Sequence, residues 1–375
     1  MLKHLFVDNF RTLVNFNIEF GPLTLLLGPN GAGKTSVFDV IRRLRQFVCD
    51  EGSTNELFPT STLTRWQTRP VQTFELTLCD QEQTYVYGLE IDQDPSQQRC
   101  RVQSELLNCN GQRLFASRLD AGQLHAQLYR DNASQGPELL TDWTRSGVAR
   151  IAPRNDNQLL TRFKKVLSSV HVCRFDPFAM TARSEREASL LDANAANFVS
   201  WLRHVTSLDL EFATRLRPIL EEVLSGYDGL SLLADGEDAK ILKVRFRPAG
   251  SQESPASPYE CRFDEISDGQ RQLIVLYSLL EGANADTTFC LDEPENFLAL
   301  REVQPWMDAL IDRAQSGHCQ AILVSHHPQL VDTLALGYGR WLDRTGGGPT
   351  RCQNVTNDDT GLPVSELVAR GWLHA

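Results

Sequence analysis

The chain contains 375 residues, of which 41% are hydrophobic, and it carries a formal net charge of −11. This length accommodates two domains or one domain with a large insert, whereas the acidic charge disfavours a protein that coats nucleic acid with its whole surface, because such binding requires Lys and Arg to displace counterions. No apolar run approaches the roughly 20 residues that cross a bilayer, the amino terminus lacks a signal-peptide pattern, and the scattered cysteines form no metal-binding spacing. We therefore expect a cytoplasmic protein with no membrane partner.

The first predicted elements are two short strands within residues 2–20, a buried strand at Leu23–Leu27 and a helix that follows residue 36. Leu23–Leu27 is an apolar run typical of a fully buried strand, and apolar residues then recur at helical spacing. The stretch GPNGAGKTS lies between the two elements. Its glycines let consecutive backbone N–H groups face inward, beside the positive end of the helix dipole. We therefore predict a nucleotide site formed by Gly28, Pro29, Asn30, Gly31, Ala32, Gly33, Lys34, Thr35 and Ser36.

Two side chains of this loop have expected roles. Lys34 is expected to reach the β- and γ-phosphates and to take part in catalysis, and the Thr35 hydroxyl is expected to bind Mg²⁺. A Gly-rich turn is the alternative interpretation, but the strand before the loop and the helix after it favour phosphate binding. The loop by itself leaves open which reaction follows.

The middle of the chain predicts a surface loop, an antiparallel β lobe and a helical insert. Residues 49–64 are polar and turn-rich, and the segments between about 70 and 130 alternate apolar and polar side chains at strand spacing. Residues 184–224 show a helical apolar stripe, and we interpret its aromatic residues, Phe198, Trp201 and Phe212, as core. Residues 248–258 predict a flexible connection. The basic stretch 141–165 is interpreted as a solvated face, with a nucleic-acid patch as the alternative.

A second buried-strand pattern ends in two carboxylates, Asp292 and Glu293. A carboxylate at the end of a central strand is costly unless it faces a cation, so a purely structural strand is disfavoured. We expect Asp292 to hold the hydrated Mg²⁺ and Glu293 to polarise an attacking water, as the catalytic base. A second acidic residue favours hydrolysis over transfer to a hydroxyl acceptor.

Two further stretches complete the predicted site. The apolar run from Gln320 to Val324 precedes Ser-His-His-Pro, and we select His326 over His327 as the catalytic histidine because a strand-end histidine on a neighbouring parallel strand would face the γ-phosphate. The stretch ISDGQ opens a helix, and a serine there is a plausible N-cap and a second anion-accepting terminus. We therefore include Ser267, Gly269 and Gln270 among the nucleotide-binding residues.

These four stretches, in this order, resemble the ATP-binding heads of the ABC superfamily, and within it the soluble SMC, RecF and OLD-like branch. GPNGAGKT is similar to the Walker A loop, ISDGQ to the signature motif, FCLDEPEN to the Walker B strand with its adjacent glutamate, and VSHHP to the switch-histidine segment. The opening NFRTL is also similar to that branch. The resemblance implies that Ser267 and Gly269 contact the γ-phosphate bound by a second subunit, so that a homodimer holds two ATP molecules with Mg²⁺.

The sequence also departs from that pattern. No Gln occurs near Asp176, where such proteins carry one that senses Mg²⁺, and the segment after Glu293 lacks the His-Pro pair that OLD-like relatives commonly have. About 90 residues separate Asp176 from Ser267, too few for a coiled-coil arm, and 49 residues follow His326, too few for a nuclease domain in the same chain. The resemblance therefore extends to small AAA-type ATPases of two-component anti-phage systems.

The predicted fold class is α/β, a P-loop ABC-type ATPase head with a mixed sheet, an antiparallel β lobe and a helical insert. The predicted segments are 1–180 for the first half of the head, 181–235 for the insert and 236–375 for the second half. The predicted function is an ATPase whose ATP-dependent homodimer gates a separate, nuclease-like effector in anti-phage defence, with nucleic acid as a candidate ligand. The alternatives are a RecF-like DNA-repair ATPase without an effector and, less favoured, a transporter ATPase subunit.

Overall fold

A computed structural model describes residues 1–80, 82–247, 257–356 and 361–371. Most of the predicted connection 248–258 lies outside the described residues. The chain divides into two compact units: unit 1 contains Met1–Val172, Asp286–Cys290 and Cys319–Ala375, and unit 2 contains Cys173–Ala285 and Leu291–His318. Each unit is therefore assembled from stretches that are far apart in sequence. Of the helices in the described part of the chain, none combines the length and the apolar character of a membrane span.

The secondary structure is labelled in chain order. The strands are β1 (Leu2–Asp8), β2 (Phe16–Glu19), β3 (Leu23–Leu27), β4 (Val71–Asp80), β5 (Gln83–Asp94), β6 (Arg99–Cys109), β7 (Gln112–Asp120), β8 (Gln123–Tyr129), β9 (Gln135–Thr141), β10 (Val170–Cys173), β11 (Arg183–Ser184), β12 (Tyr227–Ala234), β13 (Lys240–Phe246), β14 (Tyr259–Arg262), β15 (Thr288–Asp292), β16 (Gln320–Val324), β17 (Gly339–Asp343) and β18 (Arg351–Asn354). The α-helices are α1 (Lys34–Cys49), α2 (Thr54–Leu57), α3 (Gly147–Arg150), α4 (Gln158–Ser168), α5 (Phe198–Leu208), α6 (Phe212–Val223), α7 (Asp268–Glu281), α8 (Leu300–Gln315), α9 (Pro328–Tyr338) and α10 (Val364–Arg370).

Unit 1 contains an eight-stranded antiparallel sheet with the order β2-β1-β4-β5-β6-β7-β8-β9. Along β5 the buried side chains alternate with less buried ones, so that one face packs against the apolar side of α1. The predicted antiparallel lobe is confirmed, and it extends beyond the predicted range because β1 and β2 join one edge and β9 the other. The predicted surface loop 49–64 is wrong in part, since it contains α2 and since Phe58 is fully buried against Phe47 and Phe74.

The second sheet of unit 1 has the order β10-β15-β16-β3-β17-β18. Strand β3 pairs in parallel with β16 and with β17, whereas β17 and β18 are antiparallel, which confirms the predicted mixed sheet. Every residue of β3, β15 and β16 is buried, as their continuous apolar runs predicted. The buried Gln320 side chain donates to the carbonyl oxygens of Leu2 and Gly21 and accepts from the Leu2 N–H, so it joins this sheet to the eight-stranded one.

Unit 2 contains β11, β12, β13 and β14, which form an antiparallel sheet, together with helices α5 to α8. The predicted helical stretch 184–224 contains two helices, α5 and α6, and the residues from 185 to 197 are not helical. The aromatic residues of that stretch, Phe198, Trp201 and Phe212, are buried, which confirms the prediction that they belong to the core. Leu208, the last residue of α5, is 76% exposed. The helix ends there because the Asp209 carboxylate accepts the N–H of Glu211 and binds Arg215, which favours a turn over a continued helix.

Candidate phosphate-binding loop and signature helix

The loop GPNGAGKTS connects β3 to α1 in unit 1, as the sequence predicted. Gly28, Gly31 and Gly33 have φ values of 140°, 78° and 106°, which other residues rarely adopt. A Cβ at Gly28 would also overlap the carbonyl oxygen of Leu342, so the loop and β17 approach each other too closely for any side chain there. The glycines are therefore required by the local backbone, whatever the loop binds.

Lys34 folds back over the loop that precedes it. Its Nζ donates to the carbonyl oxygens of Gly28 at 2.6 Å and Pro29 at 3.1 Å, and the side chain is 7% exposed. The first turn of α1 contains no acidic residue, and its N-cap, Gly33, has no side chain to satisfy the first backbone N–H groups. The loop therefore combines a cation with the N–H groups of a helix terminus, which is the chemistry of a phosphate receptor.

Two residues from distant parts of the chain support this loop and were not predicted. Thr350 is fully buried, and its hydroxyl donates to the Ala32 carbonyl oxygen at 2.9 Å and pairs with the Thr12 hydroxyl at 2.9 Å. Arg344 donates to the Gly31 carbonyl oxygen at 3.2 Å. The sequence carries no local signal for either contact, because more than 300 residues separate the partners.

The two histidines after β16 lie at the same edge of the sheet as the phosphate loop. Val324 pairs with Leu26 in the parallel ladder. His326, two residues after Val324, therefore has the same register as Gly28, two residues after Leu26. His326 is exposed, whereas both ring nitrogens of His327 are buried and find no hydrogen-bond partner among the described residues. This difference supports the choice of His326, and its catalytic role stays a prediction.

The predicted carboxylates Asp292 and Glu293 belong to unit 2, whereas the phosphate loop and His326 belong to unit 1. Asp292 is the last residue of β15 and is 7% exposed. Glu293 has a φ of 52°, a left-handed value that is uncommon outside glycine and is often retained at functional positions. Its carboxylate lies 3.6 Å from Arg174 Nη2 and accepts from the Asn296 amide at 3.1 Å.

The stretch ISDGQ forms the start of α7, as predicted. Ser267 is the N-cap: its hydroxyl accepts the Gln270 N–H, and the Gln270 side chain accepts the Ser267 N–H, which completes a capping box. Ser267 is exposed, and its hydroxyl hydrogen is still available to donate. A Cβ at Gly269 would lie 2.8 Å from the Phe297 carbonyl oxygen, so this glycine permits close packing within unit 2. The helix cap is therefore real, and nucleotide binding by these residues stays a prediction.

Exposed apolar side chains surround this helix start in unit 2. Phe178 is 73% exposed and meets the ring of Phe297 edge-on at 5.8 Å, and Leu300 is also 73% exposed. Phe297 is the residue whose backbone contacts Gly269, so the aromatic pair adjoins the signature helix. We refer to Phe178, Phe297 and Leu300 as the aromatic patch. Exposed apolar side chains that lie next to each other, as Phe178 and Phe297 do, are common at interaction surfaces.

Part of the basic stretch 141–165 has structural roles. Arg162 bridges Asp80 and Asp286, Lys164 donates to the carbonyl oxygens at the end of α3, and Arg145 donates to the Glu51 carbonyl oxygen. The remaining exposed cations are Arg150, Arg154 and Lys165. These contacts support the interpretation as a solvated face. Asp176, considered as a replacement for the missing Gln, accepts the Phe178 N–H and thereby closes a local turn.

Comparisons with known proteins agree with this architecture. The model of the family described as "AAA domain, putative AbiEii toxin, Type IV TA system" matches residues 23–332. A crystal structure of an SMC head bound to the C-winged helix domain of ScpA has a TM-score of 0.56, with 12% identity, over 95% of this chain and 98% of that chain. The SMC head domain from Thermotoga maritima has a TM-score of 0.46 and 13% identity over 95% and 99% of the two chains. At this identity the similarity concerns the fold alone.

One curated relative is a nuclease. The OLD nuclease of Thermus scotoductus is 54% identical to this chain over 41 residues, which are 11% of this chain and 8% of that protein. The match therefore covers a small part of either protein. Together, the family match and the head-like fold confirm the resemblance to ATPases of the ABC, SMC and OLD-like group.

Proposed function

Because this chain belongs to the AbiEii-type AAA domain family, we propose that it binds ATP with Mg²⁺ between two copies of itself, hydrolyses it, and thereby gates a separate effector. The observation that carries the proposal is the phosphate loop of unit 1. There the buried ammonium of Lys34 contacts the Gly28 carbonyl oxygen, and α1 begins without a side-chain cap. Three glycines with positive φ values allow the backbone conformation of this loop. A triphosphate would compete with the Gly28 and Pro29 carbonyl oxygens for the Lys34 ammonium.

We assign the roles in hydrolysis to the predicted residues Thr35, Asp292, Glu293, His326 and Lys34. Thr35 and Asp292 supply a hydroxyl and a carboxylate, the oxygen donors that suit Mg²⁺, and the metal would neutralise the charge of the β- and γ-phosphates. Glu293 would orient and deprotonate the attacking water, and His326 would contact the γ-phosphate. Lys34 would stabilise the charge that develops as the γ-phosphate leaves.

Dimerisation is supported by the surface around the signature helix. The exposed Ser267 hydroxyl can still donate a hydrogen bond, and the aromatic patch beside it leaves apolar surface uncovered in a single chain. A second copy that presents its bound triphosphate to Ser267, Gly269 and Gln270 would cover that patch. Because these contacts need the γ-phosphate, hydrolysis would shift the population from closed to open dimers.

The effector is proposed from the comparisons. The description of the matching family includes a putative AbiEii toxin and a type IV TA system, and the curated relative is named a nuclease. These names favour a nuclease-like partner in cytoplasmic anti-phage defence. The alternative, a RecF-like repair ATPase that binds DNA without an effector, is supported by the exposed cations Arg150, Arg154 and Lys165. A gel shift across salt concentrations separates the two, since direct DNA binding would weaken steeply with salt.

The decisive experiment uses Glu293→Gln, which removes the base and keeps the shape of the side chain. We expect ATP turnover to fall by about 100-fold or more, and the variant to elute as a dimer with Mg-ATP and as a monomer without nucleotide. The measurement is light scattering coupled to size-exclusion chromatography, with phosphate release measured on the same samples.

Two further variants make the result specific. Lys34→Ala in the Glu293→Gln background should abolish the ATP-dependent dimer, and Phe178→Asp should weaken the dimer while ATP still binds. Parental turnover by Glu293→Gln would contradict the assignment of the base. A Glu293→Gln protein that stays monomeric at saturating Mg-ATP would contradict the proposed dimer.

A further inference from the structure

Strand β12 lies at an unpaired edge of the sheet in unit 2. The sheet has the order β11-β13-β12, and β14 also pairs with β13, so β12 has a neighbouring strand on one side only. Within the described part of the chain, nothing besides β13 hydrogen bonds to the backbone of residues 229–234. The outer edge of β12 therefore offers a row of free N–H and C=O groups to another extended chain.

This edge lacks the features that usually protect an unpaired strand. The sequence of β12, YDGLSLLA, is eight residues long and contains neither proline nor lysine. By contrast, β9, the last strand of the eight-stranded sheet in unit 1, contains Pro137, which has no backbone N–H to donate. The edge of β12 is therefore suited to strand addition, and β9 provides an internal comparison.

An apolar groove of about 480 Å³ lies between β12 and the helices α5 and α6. Leu230 and Leu232 line this groove and are only half-buried, although Val244 and Leu242, their cross-strand partners on β13, are fully buried. Directly opposite residues point to the same face of a sheet, so the cover over this face is incomplete at its last strand. Between the two leucines, the buried Ser231 hydroxyl has no hydrogen-bond partner among the described residues. One further strand would complete the cover.

The charged residues that line the groove are cations, in a chain whose net charge is −11. They are Arg217 and Arg245, and both are partly exposed. Together with Arg247 they share the Asp228 carboxylate, and Arg217 also pairs with Glu221, so three arginines are matched by two carboxylates. This imbalance favours acidic side chains on a segment that binds beside β12.

We propose that β12 pairs with an extended segment of a partner protein, which adds a strand to the sheet of unit 2. Apolar side chains at alternate positions of that segment pack over Leu230 and Leu232, and an acidic side chain pairs with Arg217 or Arg245. Backbone hydrogen bonds supply affinity in such complexes, and pockets for alternate side chains supply specificity. The partner is the separate effector, so this inference rests on the proposed function and adds the place and the chemistry of docking.

The test uses a defined probe and no nucleotide. A phage-displayed library of random peptides about ten residues long, the upper length of an ordinary strand, is selected on the full chain. We expect the enriched peptides to alternate apolar with other residues and to carry Asp or Glu. A synthetic copy of one enriched peptide should slow amide hydrogen exchange in fragments that contain β12 and leave fragments that contain β9 unchanged.

Variants test the groove and its charge separately. Leu230→Lys places a charge in the groove and should weaken binding of the synthetic peptide about 10- to 100-fold, as for the loss of one buried leucine contact. Arg217→Gln should weaken it about two- to fivefold, as for one exposed ion pair. Arg262→Gln is the matched control, because Arg262 lies on β14 and pairs with Asp264, and it should leave the affinity unchanged.

Thermal melts identify a variant that fails to fold, and Arg217→Gln tests the groove independently of Leu230→Lys. Failure to enrich any peptide would overturn the docking edge, as would a peptide that both variants bind with parental affinity. Nucleotide-free association of the protein with itself that Leu230→Lys abolishes would also overturn it, because the edge would then bind a second copy.

The outcomes distinguish this inference from the proposed ATPase. A parent protein that hydrolyses ATP and binds no peptide overturns the docking edge alone. A parent protein that binds the peptide at β12 and does not bind ATP overturns the proposed ATPase and leaves the docking edge in place.

Discussion

Replacing Thr350 with Val removes one hydroxyl from beneath the phosphate loop and keeps the shape of the side chain. That hydroxyl pairs with the Ala32 carbonyl oxygen and with the Thr12 hydroxyl, each at 2.9 Å, in a fully buried position. A typical hydrogen bond contributes about 0.5–1.5 kcal/mol, and a buried polar group left without its partner costs about 1–3 kcal/mol. We therefore expect the free energy of unfolding to fall by about 2–3 kcal/mol.

Thermal unfolding provides the first measurement. In a domain of 150–250 residues, 1 kcal/mol shifts the midpoint by about 2–4 °C, so Thr350→Val should melt about 4–12 °C below the parent. Thr350→Ser retains the hydroxyl and should lose less. Thr345→Val is the matched surface control, because Thr345 is exposed and its hydroxyl makes only a 3.4 Å contact with Asp343.

The second measurement is nucleotide affinity. Without the Thr350 hydroxyl the loop is less well preorganised, and we expect ATP to bind about 5- to 20-fold more weakly, which corresponds to a cost of about 1–2 kcal/mol for ordering the loop on binding. A Thr350→Val protein with the parental melting temperature and the parental ATP affinity would refute the idea that this residue supports the loop. Loss of stability without loss of affinity would limit Thr350 to a role in folding.

Two further predictions concern buried ionisable groups. Burial, with a smaller effect of Arg45, lowers the pKa of His171 from 6.5 to about 4. Between pH 6.5 and pH 4 the unfolded chain therefore takes up a proton at His171 that the folded chain does not. We expect the free energy of unfolding of the parent protein to fall by up to about 3 kcal/mol across this range. His171→Phe, which keeps a ring beside Phe289, should lack that loss. If the urea midpoints of the parent and of His171→Phe changed equally from pH 7 to pH 4, the prediction would be wrong. Burial raises the pKa of Asp39, but the nearby cations Arg43, Arg42 and Arg11 outweigh this effect and hold the pKa below 3.8. The ionised Asp39 therefore stabilises the fold above pH 3.8, and this stabilisation disappears as the pH falls through the lowered pKa. Asp39→Asn should cost about 2–4 kcal/mol at pH 7 and little at low pH. Asp156→Asn, which breaks one exposed pair with Arg130, should cost less than about 1 kcal/mol in the same thermal melts.

The local elements of the site were predictable from short stretches. The five-residue apolar run before Gly28 identified β3, the glycine spacing identified the loop, and Ser267 with Gln270 identified the start of α7. These features depend on interactions between residues only a few positions apart: backbone conformation, helix capping and hydrophobic periodicity. Such interactions operate in the same way wherever the segment lies in the fold.

The surface loop predicted for residues 49–64 was judged from its local pattern alone. Phe58 lies in a polar, turn-rich stretch, yet it is buried because Phe47 and Phe74 leave space for its ring. The burial of Phe58 was therefore decided by rings that its neighbouring sequence does not specify.

The sequence by itself determined the phosphate loop, the acidic strand end and the capped signature helix, because each is written in fewer than ten consecutive residues. Only the tertiary structure placed Thr350 and Arg344 against that loop and Trp66 against Arg344. It also assembled each of the two compact units from stretches that are far apart in the chain. Contacts between residues hundreds of positions apart arise from the packing of whole sheets and helices, and that packing leaves no periodic or compositional trace in the segments it joins.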